Sequence, residues 1–203
     1  VYNVTLIATG VGNCVGADTL VINAAVTVNN VPGPIPASCA PPTTNYCCSN
    51  GITLVQFNTI NWTSNDAIDN YSDFTCADST LLVAGDPYQL TVNTNPNASS
   101  GTDERIVVFI DYNNDGVFNN TNERVYQDTA SVAGVHNGWI NTSVSATLNT
   151  RLRMRIISDV STNAIISGCY SPQRGQVEDY MVYFVPNTQA PNVNFTSNIT
   201  TVP

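Results

Sequence analysis

Arg151-Leu152-Arg153-Met154-Arg155-Ile156-Ile157 decides the fold class. Charged and apolar side chains alternate with a period of two. On a strand this puts Leu152, Met154 and Ile156 on one face and three guanidiniums on the other. The same alternation, or a short β-branched run, recurs at residues 2–8, 20–28, 52–57, 88–92, 105–110 and 180–185. Clusters of Asn, Gly, Asp and Pro separate these runs and supply turn conformations. Helical periodicity is nearly absent. Many short strands joined by such turns predict an all-β, antiparallel β-sandwich of jelly-roll or immunoglobulin-like type.

The chain has 203 residues, room for one large or two small domains. Hydrophobic residues make up 42%, enough to bury a real core. Fifteen acids stand against six bases, all arginine, for a formal charge of −9. Nucleic acid is a poor partner for such a chain, because no basic stripe displaces counterions from phosphate. No run approaches the ~18 apolar residues that span a bilayer as a helix. The opening Val1-Tyr2-Asn3-Val4-Thr5 reads as a strand already under way, so we expect a piece of a longer exported protein. A polar surface of Asn, Thr and Ser with six cysteines suggests an oxidising, extracellular setting.

Proline at alternate positions in Val31-Pro32-Gly33-Pro34-Ile35-Pro36 marks a stiff linker over 32–36. A second break falls at Pro186-Asn187-Thr188-Gln189-Ala190-Pro191. The cuts leave a hairpin-sized piece (1–31), a central domain (37–186) and a linker with a short tail (187–203). Two strands alone cannot shield an apolar face, so residues 1–31 must lean on something else.

The acidic loop after residues 105–110 is the best site candidate. Asp111, Asn113 and Asp115 alternate and Gly116 follows; the Val117 carbonyl, Asn119 and Glu123 come next. Alternating oxygen ligands closed by a glycine turn suit Ca2+, which takes 6–8 oxygens at roughly 2.3–2.6 Å. No helices flank the loop, and Glu123 falls one residue late for an EF-hand. The alternative is an Asx-rich turn without metal.

Arg151, Arg153 and Arg155 share one face and need opposing carboxylates or an anionic ligand. Glu178 and Asp179 are the expected partners, although adjacent strand residues cannot both meet one arginine row. The single histidine, His136, lies in Gly134-Val135-His136-Asn137-Gly138 and reads as an exposed loop residue. No nucleophile elbow, phosphate loop or HExxH motif is present, so no enzyme is expected. Cys14, Cys39, Cys47, Cys48, Cys76 and Cys169 fit no zinc-site spacing and point to disulfides.

Gly175-Gln176-Val177-Glu178-Asp179-Tyr180 resembles the signature of the GEVED domain, with Gln176 in place of its first Glu. Tyr46-Cys47, the stretch from Phe109 to Phe118 and Leu152-Arg153-Met154-Arg155-Ile156 agree with it in order, over about 37–186. The runs Tyr2–Ala8, Gly16–Thr19 and Val26–Val28 resemble the last strands of a PKD domain, an immunoglobulin-like module. Ala190 to Thr196 resembles the first strand of another. GEVED domains are non-catalytic β-modules of very large bacterial surface proteins, adhesins and proteases, in bacteria that use type IX secretion.

The resemblance implies that Cys47 or Cys48 joins Cys169, with Cys39 and Cys76 available for a second bridge. Cys14 would pair with an absent part of its own PKD-like module. It also implies O-glycosylation at Thr19, Ser79 and Thr129, each in an Asp-Ser/Thr-apolar triplet; ordinary Asx turns are the alternative. The expected function is a structural or adhesive module of a secreted surface or filament protein, joined head to tail to copies or tandem domains. The alternative is a carbohydrate- or protein-binding accessory module of a secreted hydrolase. Aromatics on an exposed face, Trp62 or Trp139, would favour that alternative and a glycan partner.

Overall fold

The structure is a computed structural model that describes residues 2–9, 17–26, 33–45, 50–63, 70–95, 103–131 and 134–188. The chain forms two compact units, Val1–Pro32 and Gly33–Pro203. In the first, β1 (Tyr2–Thr9) and β2 (Ala17–Val26) pair antiparallel, with Leu6 opposite Leu20.

The second unit carries ten strands among the described residues: β3 (Ile52–Phe57), β4 (Ile60–Thr63), β5 (Tyr71–Asp73), β6 (Ser79–Val83), β7 (Pro87–Thr94), β8 (Glu104–Ile110), β9 (Arg124–Ser131), β10 (Val135–Asn141), β11 (Arg151–Val160) and β12 (Val177–Val185). They form a four-stranded sheet ordered β10-β7-β3-β4 and a six-stranded sheet ordered β5-β12-β11-β8-β9, with β6 also on β12. All-β architecture follows from the alternating pattern, as expected. One detail departs from an all-antiparallel sandwich. Both β5 and β6 run parallel to β12, β5 along residues 177–179 and β6 along 181–185. These two short strands cover successive halves of the edge of β12, and an edge left bare would invite pairing with another chain.

The main core lies between the sheets. It joins Val55 and Phe57 of β3 and Leu90 and Val92 of β7 to Ile106, Val108 and Ile110 of β8, Met154 and Ile156 of β11, and Tyr180, Val182 and Phe184 of β12. A second cluster occupies the opposite face of the six-stranded sheet: Val107, Phe109, Ile157 and Val177, capped by Phe118 and Ile165 from loops. Strands β8 and β11 are therefore buried on both faces. Loops do for the outer face what a third layer would do. The Pro-rich segment takes part: Ile35 donates its N–H to Asn114 Oδ1 at 3.2 Å, and Ser38 donates to the Gly116 carbonyl at 2.8 Å.

Candidate functional site: a buried arginine centre and an acidic loop

Register decides how the arginine row is neutralised. Arg155 lies directly opposite Asp179, and Phe109 lies on the other side of Arg155. This is the loop-covered face, where Arg155 is 0% exposed. Its Nε donates to Asp179 Oδ1 and its Nη2 to Oδ2, both at 2.7 Å, a bidentate fork. Nη1 donates to the Gly168 carbonyl at 2.8 Å and to Cys39 Sγ at 3.2 Å, and Nη2 donates to the Cys39 carbonyl at 2.9 Å. All five guanidinium N–H donors are used. Phe118 and Tyr71 flank the cation, with its Cζ 4.6 and 5.5 Å from their ring centroids.

Asp179 also accepts from Arg153 Nη1 at 2.8 Å and from the Tyr71 hydroxyl at 2.8 Å. Arg153 reaches Asp73 too, at 2.9 Å. Burial alone would lower the Arg153 pKa, but Asp73 and Asp179 outweigh it and hold the group charged. Burial and the Asp179 carboxylate push the Tyr71 phenol well up. Glu178 points to the other face, beside the core, and accepts the Tyr180 hydroxyl at 2.7 Å. The expectation that the two acids part company holds: Asp179 meets Arg153 and Arg155, and Glu178 accepts from Tyr180 on the core side.

The other residues of the motif serve the fold as well. A Cβ on Gly175 would lie 1.9 Å from the Ser158 carbonyl oxygen, so only glycine lets these backbones approach. Gln176 is buried and its Oε1 accepts the Ile52 N–H at 2.9 Å, linking the two sheets.

The disulfide corrects the expected pairing. Cys169 is bridged to Cys39, not to Cys47 or Cys48, and Cys76 is an exposed free thiol rather than the partner of Cys39. The Arg155 bonds to Gly168 and Cys39 hold both ends of the bridge beside Asp179, a long-range arrangement that no spacing reveals. Cys14, Cys47 and Cys48 lie outside the described residues.

Asp159 was not picked out by sequence reasoning. This buried carboxylate accepts five hydrogen bonds: from the Val160, Gln173 and Arg174 N–H groups, Asn163 Nδ2 and the Tyr170 hydroxyl. It fastens the connection from β11 to β12, which carries Cys169. Its only local signal is an acid at a strand end before a long polar connection.

In the acidic loop, Asp111 and Glu123 sit buried at the base, while Asn113, Asp115, Val117 and Asn119 are at the surface. Asp111 accepts the Asp115 and Gly116 N–H groups at 3.1 and 2.8 Å. Glu123 accepts those of Tyr112 and Asn119 at 3.2 and 2.7 Å. Asp115 and Asn119 accept the N–H groups two residues on, each at 2.8 Å, as Asx turns do. Gly116 has φ +79°, the left-handed turn its position demands. Burial raises the carboxyl pKa of both Asp111 and Glu123, and neighbouring carboxylates add to it, Asp115 at Asp111 and both aspartates at Glu123. The donor set is all oxygen and mutually repulsive, which fits a hard cation. In this arrangement the carboxylates turn to the loop's own amides. Among the described residues no three His, Cys, Asp or Glu side chains converge as a ligand set.

His136 is a further correction. It is not an exposed loop residue but a buried member of β10. Its Nδ1 lies 3.1 Å from Asp128 Oδ2 and its Nε2 3.4 Å from Thr94 Oγ1. The order Thr-His-Asp matches a triad, but the Thr94 hydroxyl is itself buried. Turn residues flank His136 in sequence, and the strand pairing that sets it opposite Val92 has no local signal.

Glu104 is fully buried at the start of β8. Burial pushes its carboxyl up to about 7; the Thr94 hydroxyl offsets part of this and the Asp159 carboxylate adds to it. A folded pKa above the unfolded value means that ionisation favours the unfolded chain. Stability from this group is therefore full below about 4.5 and falls as pH rises towards 7, by about 3 kcal/mol. Glu104→Gln should remove that slope. Urea unfolding of both proteins across this range checks it: the variant should gain relative to wild type as pH rises, and parallel curves would refute the assignment.

Of the proposed glycosylation sites, Ser79 is exposed in β6, with its N–H on Asp78 Oδ1 at 2.9 Å. Thr19 lies in β2 and Thr129 in β9; their side chains lie outside the described residues. The two tryptophans differ. Trp62 packs on Phe74 with ring centroids 4.7 Å apart, and Trp139 is 62% exposed.

These features define a disulfide-closed β-sandwich module whose signature residues are spent on internal contacts. Residues 105–183 match the family model of the GEVED domain, from β8 through most of β12. That segment is similar to this family and holds the arginine centre, the acidic loop and Cys169. No curated protein matches the chain.

Proposed function

We propose that the chain is a non-catalytic structural or adhesive module of a large secreted bacterial surface protein. One observation carries this reading: the motif from Gly175 to Tyr180 is committed to architecture, with Asp179 neutralising two arginines and Gln176 joining the sheets. The GEVED match and the Cys39–Cys169 bridge support an extracellular setting. In this reading the parts before and after the sandwich are PKD-like, and successive modules or copies meet end to end through residues 1–31 and 191–203. The second of these stretches lies outside the described residues. Deleting 191–203 and imaging the product by electron microscopy tests the link: assemblies should be lost, and filaments of unchanged length and spacing would overturn it.

Calcium belongs to the same proposal. Asp111, Asp115 and Glu123, with Asn113, Asn119 and the Val117 carbonyl, would hold one ion and relieve the repulsion among the acids. Calcium at a hundredfold excess over its Kd should stabilise the protein by about 2.7 kcal/mol. Melting in calcium against chelator reads this out. Asp111→Ala should abolish the gain, and equal melting temperatures for the wild type would sink the assignment.

A further inference from the structure

The outer face of the four-stranded sheet carries a groove of about 680 Å³, with Gln56, Asn61, Gln89, Thr91 and Trp139 among its lining. Register explains its chemistry. Asn61, Gln56, Thr91 and Asn137 are cross-strand partners in turn, so one row of four neutral hydrogen-bonding side chains spans β4, β3, β7 and β10. The next row sets Gln89 beside Trp139. The row on the other side is Thr63, Leu54, Asn93 and Val135. No acid, base or histidine stands in these rows, on a chain with a formal charge of −9.

We infer that this face binds a neutral oligosaccharide. A pyranose presents an apolar C–H face and a rim of hydroxyls. The exposed indole of Trp139 offers a flat apolar surface for the first, where burial is favourable. Amides suit the second, since each both donates and accepts, as a sugar hydroxyl does. Three are already held in place: Gln56 Nε2 donates to Asn61 Oδ1 at 3.1 Å, and the Thr91 hydroxyl donates to Asn137 Oδ1 at 2.7 Å. Such bonds reduce the ordering cost of binding, and each held amide keeps further capacity. Anionic glycans and nucleic acids lack any cation on this face to pair with. A strand-built platform is also stiffer than a loop site.

This inference rests on the surface-module reading for its setting; the glycan partner is shared with the accessory-module alternative, which an exposed Trp139 also favours. Its test is independent of assembly, so a failure here and a failure of end-to-end linkage are separate results. The full chain is titrated with cellohexaose, laminarihexaose and mannohexaose, and with hyaluronan hexasaccharide as the acidic comparison. Binding is read by tryptophan fluorescence and calorimetry. At least one neutral hexasaccharide should saturate the protein. Trp139→Ala should weaken that binding by about tenfold or more at an unchanged melting temperature, because the side chain is exposed. Gln56→Ala/Gln89→Ala should weaken it as well. The idea is overturned if no neutral probe saturates by about 10 mM, if Trp139→Ala binds like wild type, or if hyaluronan binds more tightly than every neutral probe.

Discussion

Reduction of the Cys39–Cys169 bridge is expected to lower the unfolding free energy by about 4–5 kcal/mol. The two cysteines are 130 residues apart, so the bridge closes most of the second unit into one loop. In the chain-entropy account, the cost of an open unfolded chain grows with the logarithm of loop length. A domain of this size holds only about 5–15 kcal/mol in total, so the loss is a large share. Urea unfolding with and without reductant measures it. Cys39→Ser/Cys169→Ser should match the reduced wild type and show no further response to reductant. Unfolding midpoints that coincide in the two conditions would show that the bridge adds nothing.

Asp179→Ala should cost about 3–5 kcal/mol, because it strands the Arg155 cation in an environment with no solvent to replace the carboxylate. Arg153 loses a partner as well, but retains Asp73. Removing both charges is a different experiment from removing one. Arg155→Met/Asp179→Leu leaves no buried unpaired ion of that pair, so it should be more stable than Asp179→Ala. It should still fall short of wild type, since the Gly168 and Cys39 carbonyls lose their donor. Chemical denaturation of the three proteins decides the matter. A single variant within about 0.5 kcal/mol of wild type, or a double variant no better than the single, would refute the role given to Asp179.

Both predictions concern one centre, in a chain with a sparse charge complement. Only 10% of the residues are charged. Several of those charges are buried where they join loops to sheet: Arg155 and Asp179 at the disulfide, and Asp159 at the β11–β12 connection. Each is surrounded by specific donors or acceptors, which is the condition for burying a charge without a large penalty. The exposed face around Trp139 is left to neutral groups.

The sequence by itself determined the strands whose pattern is local. Alternation at 151–157 and the apolar run at 105–110 place β11 and β8, because successive side chains on a strand point to opposite faces whatever the neighbours are. The common face of Arg153 and Arg155, and the inability of Glu178 and Asp179 to share it, follow from the same stereochemistry. The left-handed turn at Gly116 was legible for a similar reason, since it depends on one residue's backbone freedom. Tertiary structure decided everything that depends on what lies opposite. Register selected Asp179 for Arg155, loops buried a face that alternation alone leaves open to water, and chain crossing brought Cys39 to Cys169. His136 reads as a turn residue by its neighbours, yet it lies in β10 and is buried with Thr94 of β7 and Asp128 of β9 beside its ring. Trp62 and Trp139 look alike in the chain, yet one packs on Phe74 and the other faces solvent, since burial depends on contacts formed between residues far apart in sequence.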